Sequence, residues 1–313
     1  MEHKPLTIWQ KLKQRKAAFL ALCVIGFACV IALFAYRLAP DDSPNANRII
    51  VELGARPPGF SKLFLKIPRQ NSTEKKTLFA KLFLGTNPQF NLLPINGYRV
   101  LGDTVFVQHY IDEGMQDPQH FSLNALNAGS QYQQGIGDKK IASTELVPLV
   151  KKTFYLGTDR YGRDVLSRLI IGTRISLAVG IIAVLLSLSI GIFLGAVAGY
   201  FGGWVDNAVM YLINLLWAIP TILLVFAVTL SIGKGFFQIF IAIGLTMWVG
   251  AARLIRGQVL ALREEEYIQA AKTLGLSDMR IIFRHILPNI AGPIMVIAAA
   301  NFAAAILIEA GLS

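Results

Sequence analysis

Long uncharged stretches alternate with polar ones along this chain, and their lengths set the first reading. A helix needs about 20 apolar residues to cross the hydrocarbon core of a bilayer. Five stretches reach that scale. The first, Ala17 to Tyr36, contains no charge. The uncharged run from Ile175 to Val205 is too long for one straight crossing at about 1.5 Å per residue. It divides into a span to Ala198 and a loop over 199–206. The third span, Asn207 to Leu230, contains Pro220, whose missing N–H predicts a kink. The fourth, Phe236 to Ala252, is expected to stop at Arg253, because a charge at the bilayer centre costs about 2.5–3.5 kcal/mol. The fifth runs from Ile286 to Ile308 and ends at Glu309.

Between the first two spans the pattern changes. Residues 37–174 are polar and of mixed charge, with Pro57-Pro58 and many Asn and Gly turn signals. Asn47–Leu53 and Tyr98–Val107 alternate with period two, which predicts strands. The chain therefore divides into an N-terminal segment 1–16, a first span 17–36, an insert 37–174 and a core 175–313. The expected fold class is all-α integral membrane, with a mainly β extracytoplasmic insert between the first and second spans.

Composition and charge sharpen this. Hydrophobic residues make up 54% and charged residues only 16%, which places the chain in the membrane class. The net charge of +11 collects beside the spans, a positive-inside pattern and not a nucleic-acid surface. Lys4, Lys11, Lys13, Arg15 and Lys16 precede the first span and keep the N-terminus cytoplasmic. That span exceeds the apolar core of a signal peptide, about 7–15 residues, and so predicts an uncleaved anchor. Alternation then places 253–285 in the cytoplasm, with Arg253, Arg256, Arg263, Lys272, Arg280 and Arg284, while the outer turn at 231–235 carries only Lys234. Cys23 and Cys29 share the first span and form no disulfide framework. His3, His109, His120 and His285 are scattered, so no metal site is expected. There is no G-x4-G-K-[ST], H-E-x-x-H or G-x-S-x-G. No catalytic residue is expected, and the chain should not hydrolyse ATP.

The most informative stretch is a polar island between the fourth and fifth spans. Tyr267, Ala270, Ala271 and Leu274 recur at i, i+3, i+4 and i+7, one face of a short helix. Gln269, Lys272 and Thr273 fall toward the other face. Glu264, Glu265 and Glu266 sit at its start and Lys272 in its last turn, each offsetting the helix dipole. Gly275 is placed to end it. Ser277 can cap a second short helix beginning at Asp278. The small residues would let another surface approach closely; an amphipathic connector lying on the membrane would show the same periodicity.

The island resembles the Glu-Ala-Ala loop of ABC importer permeases, whose pattern is E-A-A-x3-G-x9-I-x-L-P. Ala270, Ala271, Gly275, Leu287 and Pro288 match in spacing, whereas Gln269 stands for the Glu and His285 for the Ile. Leu156–Ile170 resembles the L-G-T-D-x-x-G-R-D segment of the dipeptide, oligopeptide and nickel permeases of the C-subunit type. Similarity continues through 199–206, 218–220 and 252–260. It covers about residues 155–313.

This resemblance implies a type I ABC importer permease fold and a translocation subunit for di- or oligopeptides in a bacterial inner membrane. It implies a second homologous permease, two P-loop ATPase subunits that hold ATP-Mg, and an extracytoplasmic substrate-binding protein. This chain itself would bind no cofactor. Coupling to the ATPase falls to Glu265, Glu266, Gln269, Ala270, Ala271, Gly275, Leu287 and Pro288. Asp159, Arg163, Asp164 and Glu309 are candidates for a gate or binding-protein contact. By residue chemistry alone, Gly157, Asp159 and Gly162 form turns, and Asp164 begins an interfacial helix with Val165, Leu169 and Gly172 on one side. Asp206 and Glu309 stand at span edges, where solvation is the simple reading. The resemblance also implies a sixth helix, which is not among the five spans expected here. A stand-alone secondary transporter or channel would need charges within the spans, and their predicted cores have none; an extracytoplasmic enzymatic or binding domain shows no catalytic constellation. Gly275→Pro or Ala271→Arg is expected to leave insertion intact and to uncouple uptake from ATP hydrolysis, as read by transport into vesicles.

Overall fold

In a computed structural model, residues 12–41, 43–69, 89–127, 147–233 and 236–312 are described. The N-terminal segment up to Lys11 and the turn residues Lys234 and Gly235 lie outside the described residues. Two compact units divide the chain, Met1–Arg174 and Ile175–Ser313.

The first unit begins with α1 (Lys16–Leu33) and one further helical turn, α2 (Ala35–Leu38). Leu20, Val24, Ile25 and Phe27 of α1 are exposed, as an apolar helix requires if lipid is its surroundings. A five-stranded antiparallel sheet follows: β1 (Phe60–Pro68), β2 (Phe90–Leu101), β3 (Thr104–Asp112), β4 (Met115–Ser122) and, after the short α3 (Leu123–Asn127), β5 (Leu149–Phe154). The order is β4-β3-β2-β1-β5. Successive side chains point to opposite faces, and each face carries a buried apolar cluster. Leu65 joins Ile95, Val105, Val107 and Leu126 on one side, while its neighbour Phe64 joins Ile50, Leu53, Tyr110 and Phe154 on the other.

Two strand expectations change. Tyr98–Val107 is a hairpin, not one strand: Leu101 pairs with Thr104 around Gly102-Asp103. Gly102 has φ +60°, the conformation that the first position of a tight hairpin turn demands. Asn47–Leu53 is not a strand. It ends in a 3-10 turn, Val51–Leu53. Ile50 and Leu53 are buried while Ile49 and Val51 are exposed. The spacing of three rather than two is dictated by the sheet face that the segment covers.

The second unit is helical. α4 (Val165–Phe201) starts in the first unit and continues without interruption for 37 residues, so no separate interfacial helix precedes the second span. At about 1.5 Å per residue α4 is about 55 Å long, well beyond one bilayer core. A single residue, Gly202 at φ +68°, separates it from α5 (Gly203–Trp217); the loop expected over 199–206 is otherwise helical. After Pro220 comes α6 (Thr221–Ile232). Pro220 does more than kink: α5 and α6 meet at 94°, so the third apolar stretch is not one straight span. The residue before a proline is pushed out of the helical region, and Pro220 itself is extended at ψ 129°.

α7 (Phe236–Arg263) runs through Arg253 and does not stop there. Then come α8 (Glu266–Thr273), α9 (Asp278–Ile281), a π-helical turn at Ile282–Ile286 and α10 (Ala291–Leu312). Thus the last helix starts later than Ile286. Among the described residues, four helices are long and apolar enough to cross a membrane, or five if the bent pair counts as one.

One seam sets the helix packing. Gly191, Gly195 and Gly199 repeat every four residues on α4 and face α7. A Cβ on Gly195 would stand 2.6 Å from the Ala252 carbonyl oxygen, and one on Gly199 2.8 Å from that of Arg256. On Gly191 it would meet the Ala251 Cβ at 2.7 Å. Only hydrogen fits, so the two backbones approach as small-xxx-small helices do. On α10, Asn301 donates to the Ser187 hydroxyl of α4 at 3.0 Å, both residues buried.

Gly195→Leu is expected to destabilise this packing by about 1–3 kcal/mol, the usual cost of overfilling a tight contact. Gly250→Ala, where a Cβ would meet nothing within 4 Å, is expected to be neutral or stabilising by up to about 1 kcal/mol. Thermal unfolding of the detergent-solubilised chain distinguishes them; equal melting of both variants would dismiss the seam.

Candidate functional site

The polar island folds as a helical hairpin. Glu265 is extended and caps α8; its carbonyl accepts the amides of Ile268 and Gln269 at 3.0 and 3.1 Å. Glu266 lies in the first turn and Lys272 in the last, complementing the dipole. The helix ends in a Schellman motif: Leu276 N–H reaches the Ala271 carbonyl at 3.2 Å, and Gly275 N–H reaches that of Lys272 at 3.0 Å. Gly275 sits at φ +76°, where a side chain is strained.

The face that α8 buries differs from the periodicity reading. Ile268 and Ala271 are its buried residues. They pack with Ile281, Ile282, Ile286 and Ile290 against Ala196 and Tyr200 of α4 and Ala251, Ile255 and Val259 of α7. Tyr267, Ala270 and Leu274 are exposed, Leu274 at 80%. Met279 and Phe283 are also bare, at 50% and 63%. The apolar stripe is therefore split: Ala271 belongs to the core, and its three partners face outward. Ala271→Arg consequently tests packing instead of docking, because an arginine cannot enter that core.

Polar contacts brace the hairpin. The Tyr200 hydroxyl donates to Asp278 at 2.7 Å. Arg263 donates to the carbonyl oxygens of Tyr200 and Gly199 at 3.2 and 3.5 Å. Asn289 donates to the Tyr267 hydroxyl at 3.1 Å and to the His285 carbonyl at 2.6 Å, tying the first helix of the hairpin to the segment after the second. Pro288 has no N–H to continue a regular ladder. Beside it, Leu287 N–H bonds five residues back to Ile282 at 2.9 Å, which makes the turn before Pro288 π-helical. Leu287 packs on the buried cluster, and Pro288 is exposed.

Two arginines bind α7 to α5. The Arg253 guanidinium lies 3.8 Å over the Trp217 ring and donates to Asn214 at 2.5 Å. This is why the charge does not end the helix: a ring face and an amide receive it. Arg256 forms a two-pronged ion pair with Asp206, so Asp206 is paired and largely buried, not simply solvated. Sequence reasoning missed the contacts of Tyr200, Arg253 and Arg256 and the glycine seam. The four-residue glycine repeat was the available signal for the seam; the long-range pairs left none.

Asp159, Arg163 and Asp164 form a constellation of the first unit. Asp159 accepts the backbone amides of Tyr161 and Arg163 at 2.9 and 3.0 Å, and the side chains of Arg163 and Arg168 at 2.7 Å. Burial alone would raise its carboxyl pKa, but these hydrogen bonds and the Arg163 charge outweigh it and hold Asp159 below the usual range. Asp164 caps α4 by accepting Ser167 N–H at 3.1 Å. The Ser167 hydroxyl also bonds Asp164 and accepts the amide of Asp41 at 2.9 Å. The turn is pressed onto the chain at 50–56. A Cβ on Gly162 would lie 1.7 Å from the Ile50 carbonyl oxygen, and one on Gly157 2.2 Å from that of Arg56. Glu309, on α10 of the second unit, accepts the Ser176 hydroxyl at 3.1 Å. No cluster of metal-ligating side chains occurs among the described residues.

Residues 191–313 match the family of binding-protein-dependent transport system inner membrane components, and residues 6–58 match the N-terminal transmembrane domain of oligopeptide transport permease C. The oligopeptide transport system permease protein OppC of Bacillus subtilis is 41% identical over 162 residues, 52% of this chain and 53% of that protein. The glutathione transport system permease protein GsiD of Pectobacterium atrosepticum is 42% identical over 159 residues, 51% of this chain and 53% of that protein. The dipeptide transport system permease protein DppC of Bacillus subtilis is 43% identical over 159 residues, 51% of this chain and 50% of that protein. The chain thus matches about half the length of these relatives.

The Asp159 pairing gives a pH prediction. Its bonds favour the ionised form, so the stability it lends is full above the unfolded carboxylate pKa, about 3.9. That stability drains as pH falls through the lower folded value. Asp159→Asn is expected to melt below wild type at pH 7, with the two converging under acid, as followed by circular dichroism. A gap that persists under acid would refute the assignment.

Proposed function

We propose that this chain is a binding-protein-dependent permease of the oligopeptide C type, the translocation subunit of an ATP-driven peptide importer. In this reading α1 enters the membrane from the cytoplasmic side and the sheet unit stands outside. The α8–α9 hairpin faces the cytoplasm. A second permease completes the pathway, two P-loop ATPase subunits bind and hydrolyse ATP-Mg, and an extracytoplasmic binding protein delivers the peptide.

One observation carries the reading: α8 has a fixed back and a bare apolar front. Ile268 and Ala271 are held in the helix core, while Tyr267, Ala270 and Leu274 are exposed, with the Tyr267 hydroxyl alone of these tied back, by Asn289. A surface of that kind suits a groove on an ATPase. Because the back of the hairpin is packed on α4 and α7, a push on α8 moves those helices as a body. Closing of the ATPases would then switch the pathway between inward- and outward-open states, each stabilised by its own contacts. The basic residues Arg253, Arg256, Arg263, Lys272, Arg280 and Arg284 favour the cytoplasmic side for this element.

Ala270→Arg and Leu274→Glu alter only the exposed front. Both variants are expected to insert and melt like wild type but to lose a co-expressed P-loop ATPase on purification, together with peptide uptake. Retained ATPase and normal uptake in both would exclude α8 as the docking element.

A further inference from the structure

The position where the family pattern has Glu holds Gln269, and its amide makes a contact that a carboxylate lacks the proton to make. Its Nε2 donates to the backbone carbonyl of Arg263 at 2.9 Å. Arg263 is the last residue of α7, so that carbonyl is among the terminal groups for which the helix provides no partner. The acceptor is a carbonyl oxygen, so only the NH2 end of the amide can face it.

Arg263 is at the same time spent elsewhere. Its guanidinium donates to the Tyr200 and Gly199 carbonyls at the end of α4 and pairs with Glu264 at 2.9 Å. Arg263, itself the end of α7, therefore joins two other helices: α8 by its backbone carbonyl, and the end of α4 by its side chain. Glu264, Glu265 and Glu266 already crowd this turn with negative charge, with Lys272 one turn further along α8 and the Tyr200–Asp278 bond across from it.

We propose that Gln269 is a positioning residue, a neutral donor that sets the angle at which α8 leaves α7 and leaves Arg263 to hold α4. An ionised Glu at this position has no proton for the Arg263 carbonyl. It repels that oxygen, adds a fourth carboxylate to the turn and draws the guanidinium away from the end of α4. A protonated Glu regains a donor. The positioning role stands on the geometry alone; its consequence for uptake rests on the docking role of α8.

The test is hydrogen exchange of the full chain in detergent, read over residues 262–276 and at 199–203, for wild type, Gln269→Ala and Gln269→Glu. Gln269→Ala is expected to lose about three- to tenfold of protection at every pH, the range of a single hydrogen bond. Gln269→Glu is expected to lose at least as much at pH 7, at both segments, and to recover as its carboxyl protonates near pH 4–5. Wild-type protection in Gln269→Glu at neutral pH, or identical behaviour of Glu and Ala variants at all pH values, would overturn the proposal. Capture of a co-expressed P-loop ATPase is measured in parallel. If wild type itself captures none while the exchange pattern holds, the docking role fails and the positioning role survives.

Discussion

Three glycines four residues apart on α4 let its backbone lie against that of α7, and the rest of the helical unit follows from that approach. With side chains at 191, 195 and 199, the helices would stand further apart by the width of a methyl group or more. Ala251, Ile255 and Val259 would no longer form, with Ala196 and Tyr200, the floor on which Ile268, Ala271, Ile281 and Ile286 pack. In a bilayer no hydrophobic force drives helices together, so close backbone contact and interhelical hydrogen bonds must do it. The Asn301–Ser187 bond adds such a link between α10 and α4.

From this seam the hairpin acquires its two characters. Its inner face is apolar and buried, and bonds from Arg263, Tyr200 and Asn289 brace the hairpin. Its outer face leaves Tyr267, Ala270 and Leu274 exposed. A helix that only lay on a membrane surface would not need its back bonded to two long helices. The proposed docking role of α8 rests on this division between a fixed back and an exposed front.

The first unit obeys a different constraint. Its sheet carries a buried apolar cluster on each face, and the turn at 157–164 is locked to the segment at 50–56 by glycines that leave no room for a Cβ. Asp159, Arg163, Arg168 and Asp164 spend their charges within this lock and on the start of α4. These residues have a structural occupation that accounts for their contacts, and a role toward a binding protein would come in addition to it.

Local chemistry made much of this protein legible in its sequence. Uncharged stretches marked the apolar helices, Pro220 marked a break, and Gly275 marked the end of α8, because each acts through its own backbone or through lipid-facing surface. The polar island and its resemblance to a permease loop were readable for the same reason. What the sequence left open was decided by partners distant along the chain. Arg253 continues a helix because Trp217 and Asn214 receive its charge, and Asp206 is paired because Arg256 lies opposite. Ala271 turns inward while Ala270 turns outward, although both fit the same periodic stripe. A 3.6-residue period fixes which residues share a face, but only the position of α4 and α7 determines which part of that face is buried.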